Sequence, residues 1–212
     1  MSVITSIFTS RSRLMSSLTA ALGAVALIPA GASAATTWFG SSLDHTPANA
    51  GSSCSDNGVG NPGDLCTRVG SYYPGFSGHA QSPASGTIIQ LKVRPEGPMT
   101  FTTKVVNVRH VSSNHQSGQA QVTARSRLIT VPGPTQDEMD NGVYPVEKLK
   151  VSLKVNKGQE IAIDTASNTA EYCSDGTPGQ LLFDPILAPG HAFTSSASVD
   201  GCLMLIQAVV KH

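Results

Sequence analysis

The chain has 212 residues with 14 basic and 14 acidic side chains, so it carries no net charge when its histidines are neutral. Only 13% of the residues are charged and 40% are hydrophobic, which allows a sizeable buried core. A protein that binds the phosphates of nucleic acid needs a stripe of basic side chains, and this composition does not supply one. Nucleic acid is therefore excluded as an expected partner.

Residues 1–34 are predicted to be a secretory signal peptide. Two arginines precede an apolar run over 14–29, and Ala32-Ser33-Ala34 then provides a small-x-small cleavage site. The apolar run is shorter than a bilayer span and is broken by a glycine and a proline, which disfavours a transmembrane anchor. Cleavage after Ala34 would release 35–212 as a single extracellular domain with 12 basic and 14 acidic side chains. No second apolar span is expected in that mature chain.

Residues 35–85 are predicted to be loop-rich, because Gly, Ser, Pro and Asn dominate them. Short strands are expected only at Trp38-Phe39 and over 65–73. A structureless stretch of this length is unusual in a compact domain, so a disulfide is expected to pin it.

The four cysteines are predicted to form two disulfides, because all of them lie in the exported part and an oxidising compartment pairs thiols. Three pairings are possible, and proximity favours Cys54–Cys66 and Cys173–Cys202. A structural zinc site is disfavoured because no C-x-x-C spacing occurs.

Residues 86–212 are predicted to hold the main strands. Ile89, Leu91 and Val93 share one face in the first of them, and longer alternating runs follow over 99–111 and 119–131. Further strands are expected at 149–155, 160–164, 181–183 and 203–210, with a turn at Asn156-Lys157-Gly158 before 160–164. No apolar pattern of helical period persists after the signal peptide. The sequence therefore predicts an all-β, antiparallel β-sandwich; a jelly roll is favoured and an immunoglobulin-like sandwich is the alternative.

Several short segments resemble a family of uncharacterised secreted proteins from soil actinobacteria. They are Phe39-Gly40-Ser41-Ser42-Leu43 with Thr46-Pro47, 82–89, 153–161, Phe183-Asp184-Pro185-Ile186-Leu187 and Gly201-Cys202-Leu203. The resemblance implies a secreted, jelly-roll-like sandwich, and it implies no catalytic residue.

A loop rich in aromatic residues is the candidate ligand site, because sugar rings stack their apolar faces on aromatic side chains. Its aromatic and polar members are Tyr72, Tyr73, Phe76, Asn61, Asp64 and Gln81. The alternative is that the rings close the open end of the sandwich.

Two loops are candidate metal sites. Asp137, Asp140 and Asn141 offer the oxygen ligands that Ca²⁺ prefers, although their spacing is not that of an EF-hand. His110 and His115 flank a predicted hairpin turn and could share a transition metal, or they could simply be exposed polar residues. No cofactor is expected overall, with Ca²⁺ as the possible exception.

The expected function is a secreted, extracellular binding module for carbohydrate or a cell-envelope polymer. One alternative is a structural or adhesive surface protein without a small ligand. Another is a secreted hydrolase on a jelly-roll scaffold, with Asp164, Glu171 or Asp184 brought together by the fold. Binding is favoured over catalysis because the function of a sandwich normally lies in its loops and no catalytic spacing is evident.

Overall fold

The alternating segments form strands of two antiparallel sheets that pack face to face. The computed structural model describes residues 34–48, 52–71, 78–173 and 179–212. The elements of these residues are β1 (Thr36–Ser41), β2 (Ser52–Ser53), a 3-10 turn (Ser55–Asn57), β3 (Cys66–Gly70), β4 (Gly78–His79), β5 (Gly86–Val93), β6 (Met99–Arg109), β7 (Gln119–Val131), α1 (Gln136–Asp140), β8 (Glu147–Val155), β9 (Glu160–Thr165), β10 (Ser167–Asn168), β11 (Glu171–Cys173), β12 (Gln180–Phe183), β13 (Thr194–Ser195), β14 (Ser198–Asp200), β15 (Cys202–Met204) and β16 (Ile206–Lys211).

The strand order is that of a jelly roll. The five-stranded sheet runs β4-β1-β16-β5-β8, and the seven-stranded sheet runs β13-β7-β6-β9-β3-β12-β14. Among the described elements, eight strands have five residues or more. Numbered one to eight along the chain, they lie in the order 1-8-3-6 in the five-stranded sheet and 2-7-4-5 in the seven-stranded sheet. This is the jelly-roll arrangement of two four-stranded sheets. The predicted antiparallel β-sandwich is therefore confirmed, and the jelly roll is preferred over the immunoglobulin-like alternative.

The main core lies between the two sheets, where the inward side chains of both meet. Phe39 and Leu91 of the five-stranded sheet face Phe101 and Ile161 of the seven-stranded sheet, and all four are fully buried. The prediction that Ile89 shares a face with Leu91 and Val93 is wrong: Ile88 is buried with those two residues, and Ile89 is 37% exposed. The register between β5 and β8 shifts between Ile88 and Gln90. This bulge places Ile88, and not Ile89, on the inward face.

A second apolar cluster covers part of the outer face of the seven-stranded sheet. Leu187, in the segment after β12, packs there on Val106, Ala162 and Phe183. Every residue of β9 is buried as a result, because this central strand has a neighbour on each edge and a packed layer on each face.

The two predicted disulfides are both present. Cys54 pairs with Cys66, and Cys173 pairs with Cys202 across the β11–β15 ribbon. Two disulfides in one chain suggest an oxidising, extracellular environment. Within the described residues no helix has the length and the apolar character that a membrane span requires.

The strand that follows the predicted cleavage site lies beside the last strand of the chain. β1 and β16 are antiparallel neighbours, with Thr36 opposite Lys211. The backbone N–H of His212 donates to the carbonyl oxygen of Ala35 at 3.0 Å, so the pairing extends to the last residue.

Candidate functional site

One aromatic side chain of the five-stranded sheet points away from the core. Because successive side chains of a strand alternate, the burial of Phe39 turns Trp38 to the outer face. The Trp38 ring lies 5.2 Å from that of His79, whose strand β4 pairs with β1 at this edge. Trp38 is half-buried, so part of its surface remains open to a ligand.

Trp38 borders a depression of about 660 Å³, here called the Trp38 recess. It is lined by Trp38, Ser42, Leu43, Asp44, Lys92, Arg94, Val146, Lys148 and Gln207. The hydroxyl of Ser42 and the Nε of Arg94 are buried in this region and have no hydrogen-bond partner among the described residues. Unpartnered buried polar atoms are rare in proteins, and two of them lie here beside a partly open aromatic ring.

Hydrogen bonds hold the floor of the Trp38 recess in place. The Nζ of Lys92 donates to Oε1 of Gln207 at 2.9 Å, and Nε2 of Gln207 donates to the carbonyl oxygen of Ser41 at 2.9 Å. The Nη1 of Arg94 donates to the carbonyl oxygen of His45 at 3.3 Å. These side chains are therefore oriented by the fold before any ligand arrives, which lowers the entropic cost of binding.

A longer trough, here called the cationic groove, runs between the facing edges of the two sheets. Its volume is about 940 Å³, and it is lined by Arg125, Ser126, Arg127, Leu128, Ile129 and Thr130 of β7 and by Lys148, Leu149, Lys150, Val151, Ser152 and Leu153 of β8. β8 is the outer strand of its sheet, and β13 pairs with β7 only at Gln119 and Ala120. The sandwich is consequently open along this side.

The cationic groove concentrates positive charge. Arg125, Arg127, Lys148 and Lys150 are all exposed, and none of them forms an ion pair with another described residue. None of the described residues that line the groove is acidic. The register of β7 on β6 shifts by one residue between Arg125 and Leu128, and such a bulge turns side chains toward a new face.

Lys148 lines both the Trp38 recess and the cationic groove, so the two form one surface around β8. This surface was not predicted from the sequence. A signal was present in the alternation of Lys148 and Lys150 with Leu149 and Val151, because it placed the lysines of that strand on one face. The contribution of β7 depends on its bulge and on a long-range contact, and neither is visible in the sequence.

The structure separates the polar residues that were predicted to form one ligand site. Asn61 and Asp64 form a local turn, in which the N–H and Nδ2 of Asn61 donate to Oδ2 of Asp64, and these hydrogen bonds lower the pKa of Asp64. That turn lies just before Cys66, which pairs with Thr165 at one end of β9. Gln81 pairs with the other end, roughly 17 Å away along the strand. The aromatic members Tyr72, Tyr73 and Phe76 lie outside the described residues.

The predicted calcium ligands belong to α1 and its end. Thr135 and Glu138 form a capping box at its start, and their hydrogen bonds lower the pKa of Glu138. Nε2 of Gln136 donates to Asp140, and Nδ2 of Asn141 donates to the carbonyl oxygen of Asp137. Calcium binding by Asp137, Asp140 and Asn141 stays a prediction.

Among the described residues, one group of His, Cys, Asp or Glu brings three ligand atoms within 4.8 Å of one another. It consists of Glu171, Cys173 and Cys202. The two cysteines are bonded to each other as a disulfide, so this group does not offer thiolates to a metal. The hairpin that was predicted around His110 and His115 does join β6 to β7.

A buried ionic network lies beneath the β11–β15 ribbon. Nη1 of Arg68 is 2.5 Å from Oδ2 of Asp200 and 3.6 Å from Oε2 of Glu171, and all three side chains are almost fully buried. Ser52 and Gln180 also donate hydrogen bonds to Glu171. Burial raises the pKa of Glu171 to about 7, against the opposing effect of the Arg68 charge.

A second buried ion pair lies on the outer face of the seven-stranded sheet. Nζ of Lys104 is 2.6 Å from Asp164 and also donates to the carbonyl oxygen of Leu187. Burial lowers the pKa of Lys104, and the hydrogen bond and charge of Asp164 oppose that effect. Two of the three carboxylates that were considered for a hydrolase therefore have separate partners, because Asp164 pairs with Lys104 and Glu171 with Arg68. The third, Asp184, is exposed.

Glu160 is the third buried carboxyl group and has no ion pair with a described residue. Its side chain is only 2% exposed. Oε1 accepts a hydrogen bond from Nε2 of Gln81 at 3.3 Å, and Oε2 has no partner in the described chain. Burial raises the pKa of Glu160 to about 8.

Comparison with known proteins gives no relative. No family model, no curated protein and no solved structure matches the chain.

Proposed function

We propose that the chain is a secreted, extracellular module that binds carbohydrate or a cell-envelope polymer. The observation that carries the proposal is the Trp38 recess, in which a partly open indole ring lies beside polar side chains that hydrogen bonds hold in place. Binding sites for small polar ligands combine an apolar surface with a few oriented polar groups, and this recess has both.

The chemistry of a sugar matches that of the Trp38 recess. The C–H face of a pyranose ring can stack on the indole of Trp38, which contributes roughly 1 kcal/mol beyond area burial. Sugar hydroxyls both donate and accept, so they can accept a hydrogen bond from the exposed ammonium of Lys148, which lines the recess. The exposed carboxylate of Asp44 adds an acceptor at the rim.

The extracellular part of the proposal is supported by the two disulfides, which suggest an oxidising environment. Export itself, cleavage after Ala34 and kinship with the actinobacterial secreted proteins stay predictions. Mass spectrometry of protein from the medium should find an N-terminus at Ala35, and an intact Met1 terminus on such protein would contradict export by cleavage.

The test is retention of the protein on a panel of insoluble polysaccharides and cell-wall preparations. Trp38→Ala should reduce retention at least tenfold, because it removes the stacking surface, whereas Trp38→Phe should retain part of the binding. Phe193→Ala is the matched control: its half-buried ring packs beneath Arg109 at 3.7 Å on the other sheet.

Thermal unfolding of each variant separates loss of binding from loss of folding. Equal losses of retention for Trp38→Ala and Phe193→Ala would contradict the proposed site. Failure of the folded wild-type protein to bind any glycan or wall preparation would contradict the proposed function.

A further inference from the structure

We propose that the cationic groove binds the repeated anionic groups of a linear polymer, so that the ligand class of the proposed module is a polyanionic glycan or polyol phosphate. The inference deepens the proposed function and rests on it. It is carried by the four unpaired cations that converge on the groove from β7 and β8 and by the absence of acidic residues among its described lining residues.

The charge of the groove is a local property. The mature chain carries more acidic than basic side chains, yet four of its 12 basic residues line this one trough. Lys92 and Lys148 are direct cross-strand neighbours on β5 and β8, and together with Arg94 they continue the positive surface into the Trp38 recess. Like charges directly opposite each other destabilise a sheet. An anionic ligand that neutralises them relieves this repulsion, which favours binding.

The shape of the groove suits an extended chain. Its β7 wall, from Arg125 to Thr130, is six residues long and therefore spans roughly 17 Å, which is enough for several sugar or polyol repeats. The half-buried side chains of Ile129, Leu149 and Val151 form an apolar floor against the core. Cations on both rims and an apolar floor fit a chain whose carbon skeleton lies inward and whose anionic groups point to the sides.

A second copy of the chain is a poorer occupant. Two β7 edges could pair about a twofold axis, but Arg125 and Arg127 would then face the same residues of the other copy. An acidic peptide that adds a strand to β7 or β8 would also be attracted by the cations, so the experiment includes it as a separate outcome.

The experiment measures dissociation constants of the full mature chain by titration calorimetry. The probes are an oligogalacturonate, a poly(glycerol phosphate), neutral dextran and poly-glutamate. Arg127→Gln/Lys150→Gln removes one cation from each wall, and Lys157→Gln/Lys211→Gln removes the same charge from exposed positions outside the groove.

The wild-type protein should bind both anionic polymers more tightly than dextran. The groove double variant should weaken that binding roughly tenfold and should reduce the dependence of log Kd on log salt by about one for each cation removed, while the control double variant changes little. Comparing galacturonate with glycerol phosphate identifies whether the groove prefers carboxylate or phosphate groups.

Equal losses for the two double variants would overturn the proposal, because net charge alone would then explain the binding. Tighter binding of poly-glutamate than of either glycan polymer would also overturn it in favour of a peptide ligand. Trp38→Ala separates this result from the proposed function: loss of neutral glycan binding in that variant supports the Trp38 recess even if the groove fails.

Discussion

Glu160→Gln should change how stability depends on pH. Glu160 is buried and without an ion pair among the described residues, so the folded protein favours its neutral form and raises its pKa from 4.5 to about 8. In the unfolded chain the carboxyl has its ordinary pKa. The folded state therefore retains a proton that the unfolded state releases between those two values.

The sign and size of the effect follow from this difference. The contribution of Glu160 to the free energy of unfolding is fully present below pH 4.5 and falls as the pH rises toward 8, because the unfolded state binds fewer protons in that window. At about 1.4 kcal/mol for each pH unit, the loss reaches about 5 kcal/mol. A glutamine has nearly the same shape and does not titrate, so the variant does not undergo this loss.

Urea denaturation at pH 5, 7 and 9 measures the effect. Glu160→Gln should be within roughly 1 kcal/mol of wild type at pH 5 and more stable than wild type by several kcal/mol at pH 9. Taking the difference between the two proteins removes the contributions of Glu171 and the histidines. Glu147→Gln, at the half-buried start of β8, is the matched control for the loss of one carboxyl group. Parallel curves for wild type and Glu160→Gln from pH 5 to pH 9 would refute the reasoning.

Two further predictions concern buried positions. Arg68→Met should lower the free energy of unfolding by about 3–5 kcal/mol in chemical denaturation at pH 7, because two buried carboxyl groups lose their cation; a change below 1 kcal/mol would show that the network is dispensable. Gly40→Ala should destabilise by 2 kcal/mol or more in thermal unfolding, since Gly40 has φ +95° and a Cβ there would lie 2.3 Å from a carbonyl oxygen of β16. Gly58→Ala, also at positive φ but with open space, should cost only about 1 kcal/mol, and equal costs would contradict the steric argument.

Strands with one buried face were predictable because apolar and polar residues alternate along them. Gln119–Val131 is a strand with the predicted bounds, and β8 and β9 differ from their predicted bounds by at most two residues. The turn between them also forms as expected, with Gly158 at φ +86°. The apolar run 203–210 was predicted as one strand but is divided into β15 and β16 at Leu205, since a run without alternation does not indicate where pairing partners change.

The neighbours of each strand and the buried charges were not predictable. Arg68 stands between Thr67 and Val69 in a short strand, and nothing local distinguishes it from an outward-facing polar residue. Its carboxylate partners lie more than a hundred residues further along the chain, at Glu171 and Asp200. α1 was missed because its five residues are too short for a helical period, although Thr135-x-x-Glu138 is the sequence pattern of a capping box.

Ala35, the residue after the predicted cleavage site, is hydrogen-bonded to His212, so a chain that begins at Ala35 would have its two ends side by side. A short linker could join these ends across their existing hydrogen bond, and new ends could be opened in the exposed turn between β6 and β7, at Ser113 and Asn114. Such a circular permutant would keep every strand pairing while beginning at β7 and ending at β6. The strand pairings of this jelly roll therefore allow the chain ends to be placed at more than one position in the fold.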